Sequence, residues 1–193
     1  MTIYQELVTD LRSIPDQIYI DFMVECKKIY MKYPGASMNN FIKGHLIEHL
    51  FVKSVSPCIE LESSKKDSPD DPDCVYKKIH LPDVKTKTDG LRTKNNGQFY
   101  AKEWTLKNPY SNKEVFTTRA DSYILIDPTC SKVAVVDSKY FSGLFNNQTS
   151  NVCKFKVNKD EVDMIFDGTG KIPVVETLSP ISEYDLMEAI LKL

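Results

Sequence analysis

Apolar residues recur at helical spacing through the first 55 residues, and beyond residue 72 the pattern changes to short continuous apolar runs. Tyr4 to Leu11 predicts a short helix. Ser13-Ile14-Pro15-Asp16 marks a second helix start, with Ser13 or Asp16 as cap and proline early in the first turn. Ile18, Phe22, Met23, Cys26, Ile29 and Tyr30 carry that helix to Tyr33-Pro34-Gly35. A third begins near Ser37 to Asn39 and presents Phe41, Ile42, Leu46, Ile47, Leu50, Phe51 and Val55 before Pro57. Residues 62–72 lack apolar content and predict a loop. Cys74-Val75-Tyr76 and Ile79-His80-Leu81 then read as short strands around Lys77-Lys78. Residues 86–98 are polar and glycine-containing, which predicts a mobile loop. Ser122 to Asp127 and Lys132 to Val136 are the clearest strands, joined as a hairpin and apolar enough to lie mid-sheet. Residues 182–193 predict an amphipathic helix capped by Ser182. The sum is a single α/β domain, a central mixed sheet flanked by helices: a helical region over 1–55, a sheet core over 58–140 and a C-terminal region over 141–193.

At 193 residues the chain is long enough to bury a good core as one domain. No apolar run approaches the roughly 18 residues of a membrane span, and the N-terminal segment lacks a signal pattern. The five cysteines lie far apart without a CxxC pair, which suits reduced thiols in a cytoplasmic protein better than a disulfide framework or zinc ribbon. Net charge is −2, but from Lys77 to Arg119 ten bases stand against four acids. Such a local excess suits a phosphate-facing surface, and equally a solvated basic loop.

The chemistry is concentrated at Pro72-Asp73 and Asp83-Val84-Lys85. If 73–76 and 80–83 are strands of one hairpin centred on Lys78, Asp73 sits opposite Asp83. Alternation along the strand puts Asp83 and Lys85 on one face. The turn lacks the Asn-Gly signature of a tight hairpin. Two carboxylates and an ammonium at one spot suit phosphodiester hydrolysis, with Mg²⁺ held by the acids and the lysine orienting or activating water. A second D-x-K triplet, Asp137-Ser138-Lys139, follows Asp127 at the same acid-to-acid spacing. The first is preferred because it follows Pro-Asp within the basic segment, whereas the second ends a wholly apolar strand.

Pro72-Asp73, nine residues, then Asp83-Val84-Lys85-Thr86 resembles the PD-(D/E)xK motif of type II restriction endonucleases and related nucleases. The preceding helix with Gly44-His45-Leu46-Ile47-Glu48 and the later hairpin over 120–141 also resemble that family, so the likeness spans roughly residues 40–140. It implies a restriction-endonuclease-like core. It also implies a Mg²⁺-dependent, site-specific endonuclease acting on double-stranded DNA, with Mn²⁺ able to substitute. Asp73 and Asp83 would be metal ligands and Lys85 the residue that positions water. Glu48 would assist directly or through a bound water; the bland alternative is a glutamate at the edge of the helix stripe reaching solvent.

Candidate DNA contacts are Thr86 and Lys87 beside the catalytic lysine, the amides of Asn95, Asn96 and Gln98, and Lys94, Lys107, Asn108 and Arg119. Any of these also reads as an ordinary surface residue. Palindromic sites are matched by two-fold symmetric proteins, which implies a homodimer. The helix from Ile18 to Tyr30 offers a dimer surface, with a packed core helix as the plainer fate. Other readings remain at this point. A repair or recombination nuclease of the same superfamily would carry the same site. His45-x-x-Glu48-His49 matches the inverted zinc-peptidase signature, with two ligands one helical turn apart. A non-enzymatic DNA- or protein-binding domain would use the basic segment alone.

Overall fold

A computed structural model describes residues 1–33, 38–65, 71–86, 91–93, 99–101, 104–107, 120–142, 152–155, 162–176 and 180. For 38–41, 91–93, 99–101, 104–107, 141–142 and 152–155 it describes the backbone alone.

Three helices open the chain. Helix α1 (Ile3–Ser13) starts at a reciprocal cap, in which Gln5 N donates to Thr2 Oγ1 at 3.2 Å and Thr2 N donates to Gln5 Oε1 at 2.8 Å. It buries Leu7, Val8 and Leu11. Helix α2 (Asp16–Lys32) begins where the sequence predicts, but Pro15 is its N-cap and no side chain caps it. Ser13 instead closes α1, its hydroxyl donating to Asp10 O at 2.7 Å. Helix α3 (Met38–Val55) packs against α2, with Phe22 and Phe51 meeting edge to face at 5.5 Å. Tyr19, Phe22, Met23 and Cys26 of α2 are all buried, so the face considered for dimerisation lies in the core of this protomer.

The strands follow. Strands β1 (Leu61–Ser63) and β2 (Cys74–Tyr76) form an antiparallel pair. Strand β3 (Pro82–Thr86) leaves that pair and joins a four-stranded mixed sheet. Within the expected mobile loop, β4 (Leu91–Thr93) pairs with β5 (Phe99–Ala101). The polar composition hid this hairpin, since strand pairing uses backbone groups that any residue supplies. Strand β6 (Trp104–Lys107) pairs with β9 (Val152–Phe155). Strands β7 (Ser122–Asp127) and β8 (Lys132–Asp137) form the expected hairpin, followed by the single turn α4 (Lys139–Ser142) and by β10 (Asp163–Asp167). The four-stranded sheet runs β10-β8-β7-β3, with β3 parallel to β7 and at its edge. The predicted C-terminal helix falls outside the described residues.

One face of this sheet supplies Val84, Ile124, Ile126, Val133 and Val135 to the main core, together with residues of all three long helices. Asp83 and Lys85 alternate with Val84 and therefore lie on the other face. No helix among the described residues is long and apolar enough to cross a membrane.

Candidate active site

The site is assembled by the chain's passage from β2 to β3. Tyr76 and His80 form a single antiparallel bridge, centred on Lys78 as the sequence predicts. Lys77 and Lys78 take the left-handed conformations that a tight turn needs, at φ 47° and 62°. Non-glycine residues take that region at a cost of about 1–2 kcal/mol each, and contacts to α1 offset part of it here. Lys77 Nζ lies 3.1 Å from Glu6 and 3.3 Å from Asp10, and the Tyr76 hydroxyl donates to Asp10. The ladder does not continue to Asp73 and Asp83. Ile79 and Leu81, expected in a strand, are solvent-exposed connectors, and β3 begins only at Pro82.

Asp73 and Asp83 nevertheless meet. Asp73 is buried, and its Oδ2 accepts a hydrogen bond from Val84 N at 2.9 Å, covering an amide at the free edge of β3. This side-chain bond replaces the missing ladder. Asp83 Oδ2 lies 2.5 Å from Lys85 Nζ. Burial and then a hydrogen bond with the Asp73 carboxyl push Asp83 well above the usual carboxylate range, against the pull of Lys85. Burial disfavours the Lys85 ammonium, but Asp83, Asp73 and Glu48 outweigh it and hold its pKa above the ordinary lysine value.

Glu48 approaches from α3, which packs against β3. Its side chain is 21% exposed, so it is neither a core residue nor a solvated one. Glu48 Oε2 lies 3.3 Å from His45 Nδ1, and Oε1 lies over Gly44, 3.8 Å from where a Cβ would stand. Asp73, Asp83 and Lys85 thus form one electrostatic unit drawn from the β2 entry and β3, with Glu48 on the helix packed against β3.

Among the described residues no group of three or more His, Cys, Asp or Glu is placed to hold a metal ion. The donor set at β3 is the carboxylate pair, and one or two carboxylates are what Mg²⁺ takes when water and phosphate oxygens fill its other positions. Two largely buried carboxyls this close repel when both are ionised; Lys85 offsets part of that at Asp83 and a divalent ion would offset more, so the donor set fits such an ion.

The second D-x-K triplet has a different geometry. Asp127 pairs with Lys132 across the β7–β8 hairpin and Asp137 pairs with Ser122 at its far end. Five residues of strand, roughly 17 Å, separate the two acids. Asp127 is fully buried and accepts from Thr129 N at 2.9 Å and Cys130 N at 3.0 Å, which shapes the turn. For the zinc-peptidase signature, His45 faces Glu48 and His49 is exposed, and the described residues supply no third ligand.

Of the candidate DNA contacts, Thr86 ends β3 on the Val84 side of the strand, with its hydroxyl buried and without a hydrogen-bond partner among the described residues. Lys107 ends β6, opposite Val152. Lys87, Lys94, Asn95, Asn96, Gln98, Asn108 and Arg119 lie outside the described residues.

Sequence reasoning missed a polar node at the start of β3. The buried His80 Nε2 lies 2.9 Å from Ser122 Oγ, while Asp121 Oδ2 accepts from Leu81 N at 2.8 Å and lies 3.8 Å from His80 Nδ1. With Ser122 fully buried, this trio ties β3 to β7 and offers no accessible nucleophile. Its signal was faint: a histidine just before Pro82, and Asp121-Ser122 leading into an apolar strand. No family model matches the chain, and searches of curated proteins and of solved structures return no match.

Proposed function

We propose that this protein is a Mg²⁺-dependent endonuclease acting on double-stranded DNA, with a PD-(D/E)xK-type site formed by Asp73, Asp83 and Lys85. The observation that carries this reading is the meeting of Asp73 and Asp83 beside Lys85 at the edge of β3, although Asp73 stands just before β2 and Asp83 within β3 of another sheet. A helix carrying Glu48 ahead of a mixed sheet, in which the Asp83–Lys85 strand lies at the edge, also supports a restriction-endonuclease-like core.

In this reading Asp73 and Asp83 hold the divalent ion, and Asp73 is fixed for that task by its bond to the Val84 amide. The ion, when bound, supplies polarisation of the scissile phosphate and stabilises the charge that develops on it. Lys85 is kept cationic by its three acidic neighbours and serves as a donor that positions the attacking water and the phosphate. Glu48 tunes Lys85 from α3. Site specificity and a homodimeric assembly are parts of the same proposal. The basic segment from Lys77 to Arg119 supplies phosphate attraction.

The test is incubation of wild type and Lys85→Ala with mixed plasmid and phage DNA in Mg²⁺ or EDTA. Discrete fragments that need both Mg²⁺ and Lys85 are expected. A metal-dependent smear, or cuts that follow DNA structure, would retain the nuclease and favour repair or recombination over restriction. A folded wild type that cuts no DNA would end the reading.

A further inference from the structure

The helix segment Gly44 to His49 carries His45, to which the proposed chemistry gives no role and which contacts Glu48. Glu48 points back along its own helix, as side chains in helices do, toward the residues three and four positions earlier. At i−3 it meets His45, with Nδ1 and Oε2 3.3 Å apart, and at i−4 it meets Gly44, whose missing side chain leaves room for Oε1 at 3.8 Å. His45 is 42% exposed, so its ring reaches Glu48 from the solvent side of α3.

We propose that His45 is a positioning residue of the candidate nuclease site, holding the Glu48 carboxylate on the helix that packs against β3. This inference rests on the nuclease reading and adds to it a residue that touches neither DNA nor metal. A glutamate side chain has three rotatable bonds, and one that is only partly buried samples several rotamers unless something restrains it. The His45 contact selects the rotamer folded over Gly44. Helix α3, which carries both His45 and Glu48, packs against β3, and the Glu48 side chain is only 21% exposed. The H-x-x-E-H pattern is thereby half used: its first histidine orients the glutamate, and the exposed His49 takes no part.

A double-mutant cycle on Mg²⁺-dependent DNA cleavage tests this. His45→Ala is expected to lower kcat roughly tenfold or more with little change in KM, the usual scale for losing a residue that orients a functional carboxylate. In a Glu48→Ala background the same change should have no further effect. His45→Asn should restore most of the rate, because its amide N–H stands where the imidazole Nδ1 does; His45→Gln should not. A second readout uses metal-free protein, in which the ¹⁵N signal of the His45 ring should move in Glu48→Ala. Independent effects of His45→Ala and Glu48→Ala on kcat, or a His45 signal indifferent to Glu48→Ala, would overturn the inference. Cleavage that needs Lys85 but ignores His45→Ala would overturn it alone. Failure of the wild type to cleave any DNA would overturn the nuclease reading, and this inference with it.

Discussion

Asp73 accepts the Val84 amide proton at the sheet edge, and its carboxyl lies close enough to Asp83 to push that acid's pKa up. That proximity is unfavourable, because both acids are largely removed from water, and the Lys85 ammonium 2.5 Å from Asp83 offsets only part of the repulsion. Asp83→Asn relieves that repulsion but takes the carboxylate partner from Lys85, so the stability of the metal-free variant should stay within about 1–2 kcal/mol of wild type, while cleavage is abolished. Thermal melts in EDTA check the first part. Added Mg²⁺ should raise the wild-type Tm and leave that of the variant unchanged. A variant markedly less stable than wild type in EDTA would mean that Asp83 serves the fold. His80 sets a separate pH dependence. Burial lowers its pKa, while Asp121 and Asp137 pull the other way. Below the unfolded value of about 6.5 the unfolded chain binds more protons than the folded one. Stability should thus fall as pH drops from about 6.5, and His80→Gln, which keeps a partner for Ser122, should flatten that loss in denaturant titrations at several pH values. An unchanged slope would show that His80 is not the group responsible.

Among the elements, β3 matters most: it is the edge strand whose one face enters the core through Val84 and whose other presents Asp83 and Lys85. The β7–β8 hairpin gives that edge a rigid parallel neighbour, and its own D-x-K triplet is split between the hairpin's two ends. Asp137→Ala should accordingly leave Mg²⁺-dependent cleavage within about twofold of wild type, whereas Asp83→Ala abolishes it; equal losses in a side-by-side assay would move the site. Much of this was legible beforehand. The helices followed from apolar spacing, and β7 and β8 from apolar runs too short for helices. The bridge centred on Lys78 followed from pairing Asp73 with Asp83. What was not legible had physical causes. Tyr76 and His80 form one bridge and no more, because β2 is drawn to β1 and β3 to β7, and a local pattern does not reveal such long-range competition. The β4–β5 pair lay hidden because polar residues form ladders as readily as their backbones allow. The His80–Ser122–Asp121 node joins positions about forty residues apart, a separation that spacing along the chain does not encode.

For the molecule as a whole, the proposal puts a divalent-cation site at the edge of one mixed sheet, beside a basic segment whose positive potential suits DNA phosphate. The net charge of −2 conceals that potential, because acids elsewhere in the chain offset the basic segment. The most direct measurement is Mn²⁺ binding to purified protein followed by electron paramagnetic resonance, with wild type beside Asp83→Asn. Mn²⁺ stands in for Mg²⁺, and the free-ion signal reports occupancy without requiring DNA or turnover. The account predicts saturable binding in the wild type that Mg²⁺ displaces and Asp83→Asn removes. Absence of binding in the wild type, or binding that survives Asp83→Asn undiminished, would contradict it.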